Sequence, residues 1–463
     1  MTKKKKNSAQ DNYGSPLREI EIIRLASDGA GIGFINGKAT FVPGMLPEER
    51  GKIRLTEDKK TYQKAIAVDI YNYSDERQSP PCLVYNKCGG CNLQHLNYQY
   101  TLYWKRQWVE DALTRIGGLQ NVYVEPVLGM EEPWRYRNKA VLHRDKEGRF
   151  GYYGQLTNDV VQFTDCLLLS KNTNKRITKL QKILGKCCPE IKTVTLRESN
   201  RGKALLLLDG NLGNNSEGKE GEPDRQKIDR QKEELNSKIK ELIREEDFTP
   251  SVCSITTPQD KRDYKGSGTR HLNEYIDNIR FGVSPRSFLQ VNPEQTAKLY
   301  SLILEFAELG GKEEVWDLYC GIGTITLILA KRARRVVGIE ENLYATQDAI
   351  ENAKANNIPN VSIIQGKVEE KLNNLSGVPD LVVTDPPRAG MNQKTVARLL
   401  KIRPKKIIYV SCNPATLARD LKALAGSSDE SPGIYKIEKV QPVDMFPWTV
   451  HVECVIGMQR KDT

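Results

Sequence analysis

One cysteine stands where an α/β protein would place a nucleophile. Cys412 follows the apolar, β-branched run 407–410 and precedes Asn413 and Pro414. Such a run is typical of a buried parallel strand, and the polar residues after it form the loop at its carboxyl end, where open α/β sheets place their chemistry. The sequence therefore predicts a reactive thiol at a sheet edge.

The hundred residues before Cys412 carry the pattern of a nucleotide-type cofactor site. Gly321 and Gly323 follow an apolar strand and precede an apolar helix, and the next strand ends in Glu340. An acidic residue ~20 positions after such a turn reaches ribose hydroxyls. Because the third glycine of the dinucleotide fingerprint is missing, with Ile325 following Thr324, S-adenosylmethionine fits better than NAD. A methyl donor opposite a thiol suggests methylation of a pyrimidine ring.

Two further carboxylates have positions that suit the same site. Asp385 ends the fourth predicted strand, and Pro386 and Pro387 after it fix a rigid, extended loop. Near the C-terminus, His451 and Glu453 are two residues apart on an alternating strand, so both would face the same side. These residues are candidates for proton transfer and for contacts with the cofactor or the base.

Together these side chains suit methylation of uracil at C5. Addition of the Cys412 thiolate to C6 would turn C5 into a nucleophile, and a base must then remove the C5 proton before the thiol leaves. Glu453 is the predicted base, and His451 is the competing candidate. Asp385 could accept a hydrogen bond from uracil N3–H or hold the cofactor, and Arg388 could stabilise charge on O4.

These motifs resemble the RNA uracil-5-methyltransferases, in particular the iron–sulfur branch that makes 5-methyluridine in 23S ribosomal RNA. The resemblance covers nearly the whole chain and rests on the segments 284–292, 317–323, 385–390, 411–414 and 446–453. It implies a Rossmann-like methyltransferase domain with Cys412 as nucleophile and Glu453 as base. Phe288 resembles the family's aromatic residue near the substrate base, although a core position suits it equally well. The implied contacts with S-adenosylmethionine come from Gln290, Tyr319, Glu340 and Asp385.

A cysteine triplet forms a second group of candidate ligands. Cys82, Cys88 and Cys91 lie within ten residues, and two glycines precede the third. Zinc sites usually present two Cys-x-x-Cys pairs or add histidine, and this chain has only four histidines. Cys166 matches the fourth ligand of the resembling family, so a four-iron four-sulfur (4Fe-4S) cluster is favoured over zinc. The alternative fourth ligands are Cys187 and Cys188.

The remaining sequence predicts three folded parts. A basic disordered tail, 1–13, precedes short strands at 14–74 that resemble the TRAM domain, an OB-like RNA-binding barrel. A strand-rich central domain at 75–275 would carry the iron–sulfur cluster and bind RNA, with a flexible insertion near 210–247. The methyltransferase domain would occupy 276–463. The cluster is expected to order the central domain rather than to carry electrons, because the predicted chemistry has no redox step.

Composition agrees with an RNA partner. The chain of 463 residues has 70 Lys and Arg against 59 Asp and Glu, and its pI is near 9.0. A net charge of +11 favours a polyanion through counterion release. No apolar run approaches the ~20 residues that span a membrane, and ten cysteines suit metal binding and catalysis more than disulfides. The sequence predicts a cytoplasmic monomer.

The predicted function is methyl transfer to a uridine of 23S ribosomal RNA, within an α/β architecture. Two alternatives remain open. One is the same reaction on transfer RNA, against which the cysteines argue because most bacterial enzymes of that branch lack the cluster. The other is an inactive RNA-binding module, which would be expected to have lost Cys412 or Glu453.

Overall fold

The computed structural model describes residues 16–189, 191–210, 250–256, 264–265, 271–428 and 431–461, together with residues 230, 233 and 237. The predicted tail and most of the insertion near 210–247 lie outside the described residues. Contacts divide the chain into two compact units. Unit 1 holds the described residues up to Pro81, Cys91–Trp108 and Trp448–Val450. Unit 2 holds Cys82–Gly90, Val109–Pro447 and the described residues from His451 onward.

Unit 1 is built on a six-stranded, mostly antiparallel sheet with the order β1-β5-β6-β4-β3-β2. Alternating apolar residues, among them Ile20, Val42 and Ile53, fill its core. Asn36 and Gly37 join β3 to β4, and their φ angles of 50° and 77° suit a tight hairpin turn. Register shifts between β5 and β6 let these long strands curl. The strands are β1 Arg18–Glu21, β2 Arg24–Leu25, β3 Ala30–Ile35, β4 Lys38–Pro43, β5 Arg50–Asp58 and β6 Tyr62–Asn72.

The first helix is α1 (Tyr98–Arg115). Its first part lies in unit 1, where Trp104 and Trp108 pack against Leu25 and Leu93. The Trp108 indole donates a hydrogen bond of 3.0 Å to the carbonyl of Leu25, which satisfies its buried N–H. Within the described residues, no helix is long and apolar enough to cross a membrane.

Unit 2 begins with a central seven-stranded sheet of order β13-β12-β11-β10-β7-β8-β9. The helix α2 (Lys171–Cys187) covers one face, with Leu180 and Leu184 packed against Leu142 and Leu196. Ser170 caps α2 by accepting a hydrogen bond from Thr173 N at 2.9 Å. The strands are β7 Lys139–Arg144, β8 Phe150–Tyr153, β9 Val160–Val161, β10 Ile191–Glu198, β11 Ala204–Gly210, β12 Pro250–Thr256 and β13 Tyr264–Lys265.

The second sheet of unit 2 has the order β18-β17-β16-β19-β20-β24-β23. Its first five strands are parallel, and β24 and β23 are added antiparallel. Most of its central strands are buried apolar runs because helices cover both faces. A hairpin, β14 Leu272–Ile276 and β15 Ile279–Val283, precedes it. The strands are β16 Glu314–Leu318, β17 Arg335–Glu340, β18 Val361–Gln365, β19 Leu381–Thr384, β20 Lys406–Ser411, β23 Tyr435–Val443 and β24 Glu453–Arg460, with a small pair β21 Gly426–Ser428 and β22 Ser431–Pro432.

The helices of this second sheet connect its strands in the alternating pattern that the sequence predicts. They lead the chain back so that successive parallel strands end at one edge. That edge receives the loops that carry Gly321, Asp385 and Cys412, each directly after a strand. The helices are α3 Pro293–Ala307, α4 Thr324–Ala330, α5 Leu343–Ala355, α6 Val368–Lys371, α7 Gln393–Ile402 and α8 Pro414–Ala425.

Candidate active site

The glycine turn after β16 is held open by the acidic residue at the end of β17. Tyr319, Gly321 and Gly323 have φ angles of 66°, 55° and 81°, in the left-handed region where glycine is favoured. The Gly321 N–H donates to Glu340 Oε2 at 3.0 Å, and Asn342 N donates to Glu340 Oε1 at 2.6 Å. Three of the four predicted cofactor residues, Tyr319, Glu340 and Asp385, therefore stand at the same sheet edge.

The loop after β19 is fixed by a network from α8. Asp420 accepts hydrogen bonds from Met391 N at 2.9 Å and from the Tyr409 hydroxyl at 2.8 Å. Arg419 binds Asp420 and donates to the carbonyl of Ala389 at 3.1 Å. Because Asp420 is buried, these bonds are shielded from water and hold the loop that follows Asp385.

The loop after β20 places Cys412 beside Glu453. Ser411 and Cys454 are opposite one another in the antiparallel pair of β20 and β24, so the next residues, Cys412 and Glu453, continue this register. Asn413 caps α8 by accepting a hydrogen bond from Ala415 N at 3.0 Å, and Pro414 is the first helical residue. The Asn413 amide also donates to the carbonyl of Arg388 at 3.2 Å. Sheet register and helix cap together fix the thiol's position.

Burial raises the pKa of three acidic groups at this edge. Burial raises the pKa of Asp385 to about 7. Burial, with the nearby charge of Asp385, raises the pKa of Glu453 to about 8. Burial, followed by the charges of Glu453 and Asp385, raises the pKa of the Cys412 thiol to about 11. We call these three residues the acidic edge, and Arg388 is the cation that opposes the shifts of Cys412 and Glu453.

The shift at Cys412 differs from what its expected chemistry needs. A nucleophilic thiol requires a lowered pKa or a base, and the free protein raises the pKa of this thiol instead. The reason is that the site gathers like charges in a dry environment. A cationic group that binds beside Cys412, Asp385 and Glu453 would lower all three pKa values, because its positive charge would reduce the free-energy cost of ionising each group.

His451 lies outside the strand that the sequence assigns to it. Strand β24 begins at Glu453, so the prediction that His451 and Glu453 share one strand face is wrong. The chain around Phe446 and His451 turns before β24 begins, and residues 448–450 belong to unit 1. The His451 ring nitrogen Nε2 lies 3.2 Å from Arg388 Nη2, and its ring meets Phe446 edge-on with centroids 5.9 Å apart.

The segment 284–292 is anchored at two points that sequence reasoning missed. Asp348, on α5, accepts hydrogen bonds from the hydroxyls of Ser284 and Ser287, each at 2.6 Å. At the other end, Arg197 Nη2 donates to the carbonyl of Leu289 at 2.8 Å. Asp348 and Arg197 are single charged residues within an amphipathic helix and a strand, so no local pattern distinguishes them from surface residues.

Phe288 lies between these anchors and Gln290 directly follows the second, and the two side chains differ in exposure. The Phe288 ring is 64% exposed, so the alternative that it fills the core is wrong. Gln290 is only 8% exposed, and its Oε1 atom has no hydrogen-bond partner among the described residues. A buried amide oxygen without a partner is costly. This atom is therefore available to a bound ligand or to water.

The predicted cluster ligands are divided between the units. Cys82, Cys88 and Cys166 belong to unit 2, and Cys91 belongs to unit 1. Burial, and to a smaller extent the thiols of Cys88 and Cys82, raises the pKa of Cys166 to about 11, so these three are neighbours. Among the described residues, no group of three or more Cys, His, Asp or Glu has the geometry of a metal site. The donor chemistry of four thiols suits a cluster, and the cluster stays a prediction.

The alternative fourth ligands differ in what the structure describes. The Cys188 side chain is buried in the core beneath α2. The Cys187 side chain lies outside the described residues. A buried thiol within an apolar core is the ordinary environment of a structural cysteine.

Comparisons with known proteins identify two regions of the chain. The family model "tRNA (Uracil-5-)-methyltransferase" matches residues 226–461, and the TRAM domain model matches residues 17–68. An uncharacterized RNA methyltransferase of Bacillus cereus is 38% identical over 450 residues, covering 94% of this chain and 95% of that protein. A second, from Listeria innocua, is 39% identical over 470 residues and covers 96% and 97%.

A solved structure extends this similarity to three dimensions. The tRNA (uracil-54, C5)-methyltransferase of Pyrococcus abyssi, in complex with S-adenosyl-L-homocysteine, is similar with a TM-score of 0.68 and 26% identity. The match covers 95% of this chain and 99% of that one. The predicted family, α/β fold and TRAM domain are thus confirmed. The chain belongs to the tRNA (uracil-5-)-methyltransferase family and is an S-adenosylmethionine-dependent RNA (uracil-5) methyltransferase.

Proposed function

We propose that the enzyme methylates C5 of a specific uridine in 23S ribosomal RNA through a covalent bond between the Cys412 sulfur and C6. The observation that carries this proposal is the placement of Cys412 opposite Glu453, with Asp385 at the same edge. A thiol that directly follows one strand and a buried carboxylate at the start of the adjacent strand can act on neighbouring atoms of one ring. This pairing also argues against an inactive RNA-binding module, which would have no need to keep both groups.

The chemistry divides between the two residues. The Cys412 thiolate forms a bond to C6, and the electron pair of the C5–C6 double bond moves toward O4. S-adenosylmethionine supplies the methyl group to C5, and the carbon–sulfur bond of the sulfonium breaks. Glu453 then takes the C5 proton, the C5–C6 double bond returns, and the bond from C6 to Cys412 breaks. The products are 5-methyluridine, S-adenosylhomocysteine and one proton, and no electron acceptor is needed.

The raised pKa values of the acidic edge fit a cationic cofactor. Cys412, Asp385 and Glu453 disfavour ionisation in the free protein chiefly because they are buried, and the charge of Asp385 adds to this effect at the other two. A sulfonium beside them would favour the ionised forms that addition and proton removal require. Arg388 supports the same ionisations and can donate to O4 as charge collects there.

For cofactor binding we propose Gln290, Tyr319, Glu340 and Asp385. Glu340 already accepts N–H groups of the glycine turn, and its position at the end of β17 suits ribose hydroxyls. Gln290 offers a buried amide oxygen that lacks a partner among the described residues. Asp385 stands between the glycine turn and Cys412, since β19 lies between β16 and β20.

The preference for ribosomal over transfer RNA rests on the four cysteines. We propose that Cys82, Cys88, Cys91 and Cys166 hold a 4Fe-4S cluster that orders the RNA-binding part of the chain, and no step of methyl transfer passes through it. The proximity of Cys82, Cys88 and Cys166 in unit 2 supports this set. The solved relative that acts on tRNA uracil 54 keeps transfer RNA as the second candidate. We further propose a cytoplasmic monomer with the predicted parts 14–74, 75–275 and 276–463.

Two measurements test the proposed function. Mass spectrometry of 5-methyluridine in ribosomal and transfer RNA, from strains with and without the gene, identifies the substrate. Loss of the nucleotide from 23S RNA alone is expected, and loss from transfer RNA alone would replace the proposed substrate. RNA with 5-fluorouridine at the mapped site should form a covalent adduct, because fluorine cannot leave as a proton. Absence of an adduct in intact-mass analysis would contradict the covalent mechanism.

A further inference from the structure

We propose that a face of the central sheet binds a backbone phosphate of the RNA beside the target uridine, through Arg137 and Lys139, with Arg197 behind them. We call these three residues the cationic face. The inference rests on the proposed function in one respect, since it places the phosphate in the RNA that carries the methylated base. It assigns a role to side chains that the methyl transfer chemistry does not use.

The sheet register brings the three cations together. Lys139 on β7 stands directly opposite Arg197 on β10. Arg137 lies two residues before Lys139, and its Nε atom donates to the Lys139 carbonyl at 3.0 Å. Like charges directly opposite one another destabilise a sheet pair, so this arrangement costs free energy in the free protein. Such a cost is expected where an anion later occupies the site.

The charges of this face are only partly balanced in the free protein. Arg197 is 3% exposed, and its Nη1 atom has no hydrogen-bond partner within the described part of the chain. Glu274 acts on Arg197 as a counter-charge. The pKa of Lys139 is lowered to about 8, first by burial and then by the positive charges of Arg197 and Arg137. Both charged groups that act on Lys139 are therefore cations. An anion beside Lys139 would reverse these effects.

The cationic face adjoins segment 284–292. This segment carries Phe288, which is expected near the substrate uracil, and Gln290, which is expected to contact the cofactor. Arg197 binds the carbonyl of Leu289, which lies between the exposed ring of Phe288 and the buried amide of Gln290. Arg137 and Lys139 are half-buried, so part of each side chain faces solvent. An RNA strand that places a uridine near Phe288 would therefore bring its adjacent phosphates toward Arg137 and Lys139.

An aromatic pair continues the surface along β7. His143 lies four residues after Lys139, so strand alternation puts it on the same side of the sheet. Its ring stacks on Tyr153 with centroids 3.9 Å apart, and Tyr153 is 41% exposed. Cations beside a stacked, partly exposed aromatic pair suit unpaired RNA, which offers phosphates and unstacked bases together.

The first test measures the salt dependence of RNA binding. Lys139→Gln and Arg137→Gln are used because both residues are half-buried, whereas replacing buried Arg197 would endanger folding. The probe is a single-stranded RNA oligonucleotide with the mapped uridine, and affinity is measured by fluorescence anisotropy across potassium chloride concentrations. Each variant should bind about tenfold more weakly, and its slope of log affinity against log salt should be smaller by about 0.7. The matched control is Lys312→Gln, an exposed lysine just before β16, at the amino end of the parallel strands.

The second test locates the phosphate. Neutral methylphosphonate linkages are placed one at a time on either side of the uridine. One linkage should weaken binding to the wild type about tenfold and should have no further effect on Lys139→Gln, because the two changes remove the same contact. Two results would overturn the phosphate subsite. One is that every neutral linkage weakens binding of Lys139→Gln as much as it weakens binding of the wild type. The other is that Lys139→Gln binds the RNA as tightly as Lys312→Gln does. Thermal melting of each variant confirms that it is folded.

The outcome for the subsite stays separate from the outcome for the chemistry. The same oligonucleotide with 5-fluorouridine is incubated with the wild type and the Lys312→Gln control, and adduct formation is measured by mass. A missing adduct would contradict the covalent mechanism, whereas the methylphosphonate scan reports binding only and would still decide the subsite.

Discussion

Unit 2 carries two groups of like charge that differ in sign. The acidic edge gathers Asp385, Cys412 and Glu453 at the carboxyl ends of the parallel strands, where burial raises the pKa of each and the charge of Asp385 adds to the cost of ionising the other two. The cationic face places Arg137 and Lys139 beside Arg197 on the central sheet. Both arrangements are unfavourable for the free protein, because buried like charges repel and lose hydration.

The difference in sign suits two different partners. A cationic sulfonium would relieve the acidic edge, and an anionic phosphate would relieve the cationic face. A folded protein retains such costs where binding compensates for them, so unbalanced charge indicates function better than charge count does. The chain's net charge of +11 hides this division, because it sums over both groups.

The largest expected effect comes from removing the thiol of the acidic edge. Cys412→Ala should lower the methylation rate at least about a thousandfold, since the ring can no longer be activated by addition at C6. Binding of S-adenosylhomocysteine, measured by calorimetry, should survive. Cys454→Ala, which changes the buried neighbouring cysteine, serves as control and should still form the 5-fluorouridine adduct. An adduct that persists in Cys412→Ala would show that another residue is the nucleophile.

Changing the base should stop the reaction one step later. Glu453→Gln should accumulate a methylated covalent RNA–protein intermediate, because addition and methyl transfer precede proton removal, and turnover should fall by about 10²–10⁴-fold. Denaturing gels and intact mass detect this species. His451→Ala is the matched comparison, and it should release the methylated RNA more readily than Glu453→Gln does. Trapping only in the histidine variant would transfer the role of base to His451.

The acidic edge should also set the pH dependence. Glu453 acts as a carboxylate, and its pKa of about 8 in the free protein means that the active form is the minor one at pH 7. Addition also needs the Cys412 thiolate, whose pKa in the free protein is about 11. The rate of RNA methylation at low substrate should therefore rise by up to about a hundredfold per pH unit below pH 8, and by about tenfold per unit above pH 8. Arg388→Gln should shift the profile to higher pH, because Arg388 lowers the pKa of Glu453. Arg334→Gln, at the amino end of β17, should leave the profile in place.

A smaller effect is expected from the anchor of segment 284–292. Asp348 holds two serine hydroxyls as an ionised carboxylate, and the hydrogen bonds from His271, Ser284 and Ser287 lower its pKa against the opposing effect of burial. Asp348→Asn should lower kcat about tenfold by loosening Phe288 and Gln290, with KM for cofactor raised more than KM for RNA. Glu351→Gln, the exposed neighbour that also approaches His271, is the control. Equal behaviour of the two variants would limit Asp348 to a role in stability.

The smallest direct effect on chemistry is expected from the cluster. Cys166→Ser should remove iron and colour from anaerobically purified protein and weaken RNA binding, while adduct formation at saturating RNA falls less than in Cys412→Ala. Cys188→Ser, in the core beneath α2, is the control and should retain iron. Stoichiometric zinc without iron in the wild type would contradict the assignment of an iron–sulfur cluster. Iron that persists in Cys166→Ser but is lost in Cys188→Ser would assign Cys188 as the fourth ligand instead of Cys166.

The sequence by itself determined the parts that depend on short-range pattern. Buried β-branched runs predicted the parallel strands, and their carboxyl ends predicted the positions of Gly321, Asp385 and Cys412, because parallel strands present these ends at one edge. Glu340 follows from the same rule. The TRAM barrel was predicted from short strands separated by turns, whose register depends on local turn chemistry such as Asn36–Gly37.

Only the tertiary structure decided which distant residues meet and how their charges behave. The opposition of Cys412 and Glu453 depends on β24 inserting antiparallel beside β20, and the raised pKa values depend on burial, which no local pattern fixes. Arg197 and Asp348 were missed because a single charged residue is usually solvated, and only packing against Leu289 and Ser287 gives them a role. Pattern is local along the chain, whereas register, burial and charge contact depend on residues far apart in sequence.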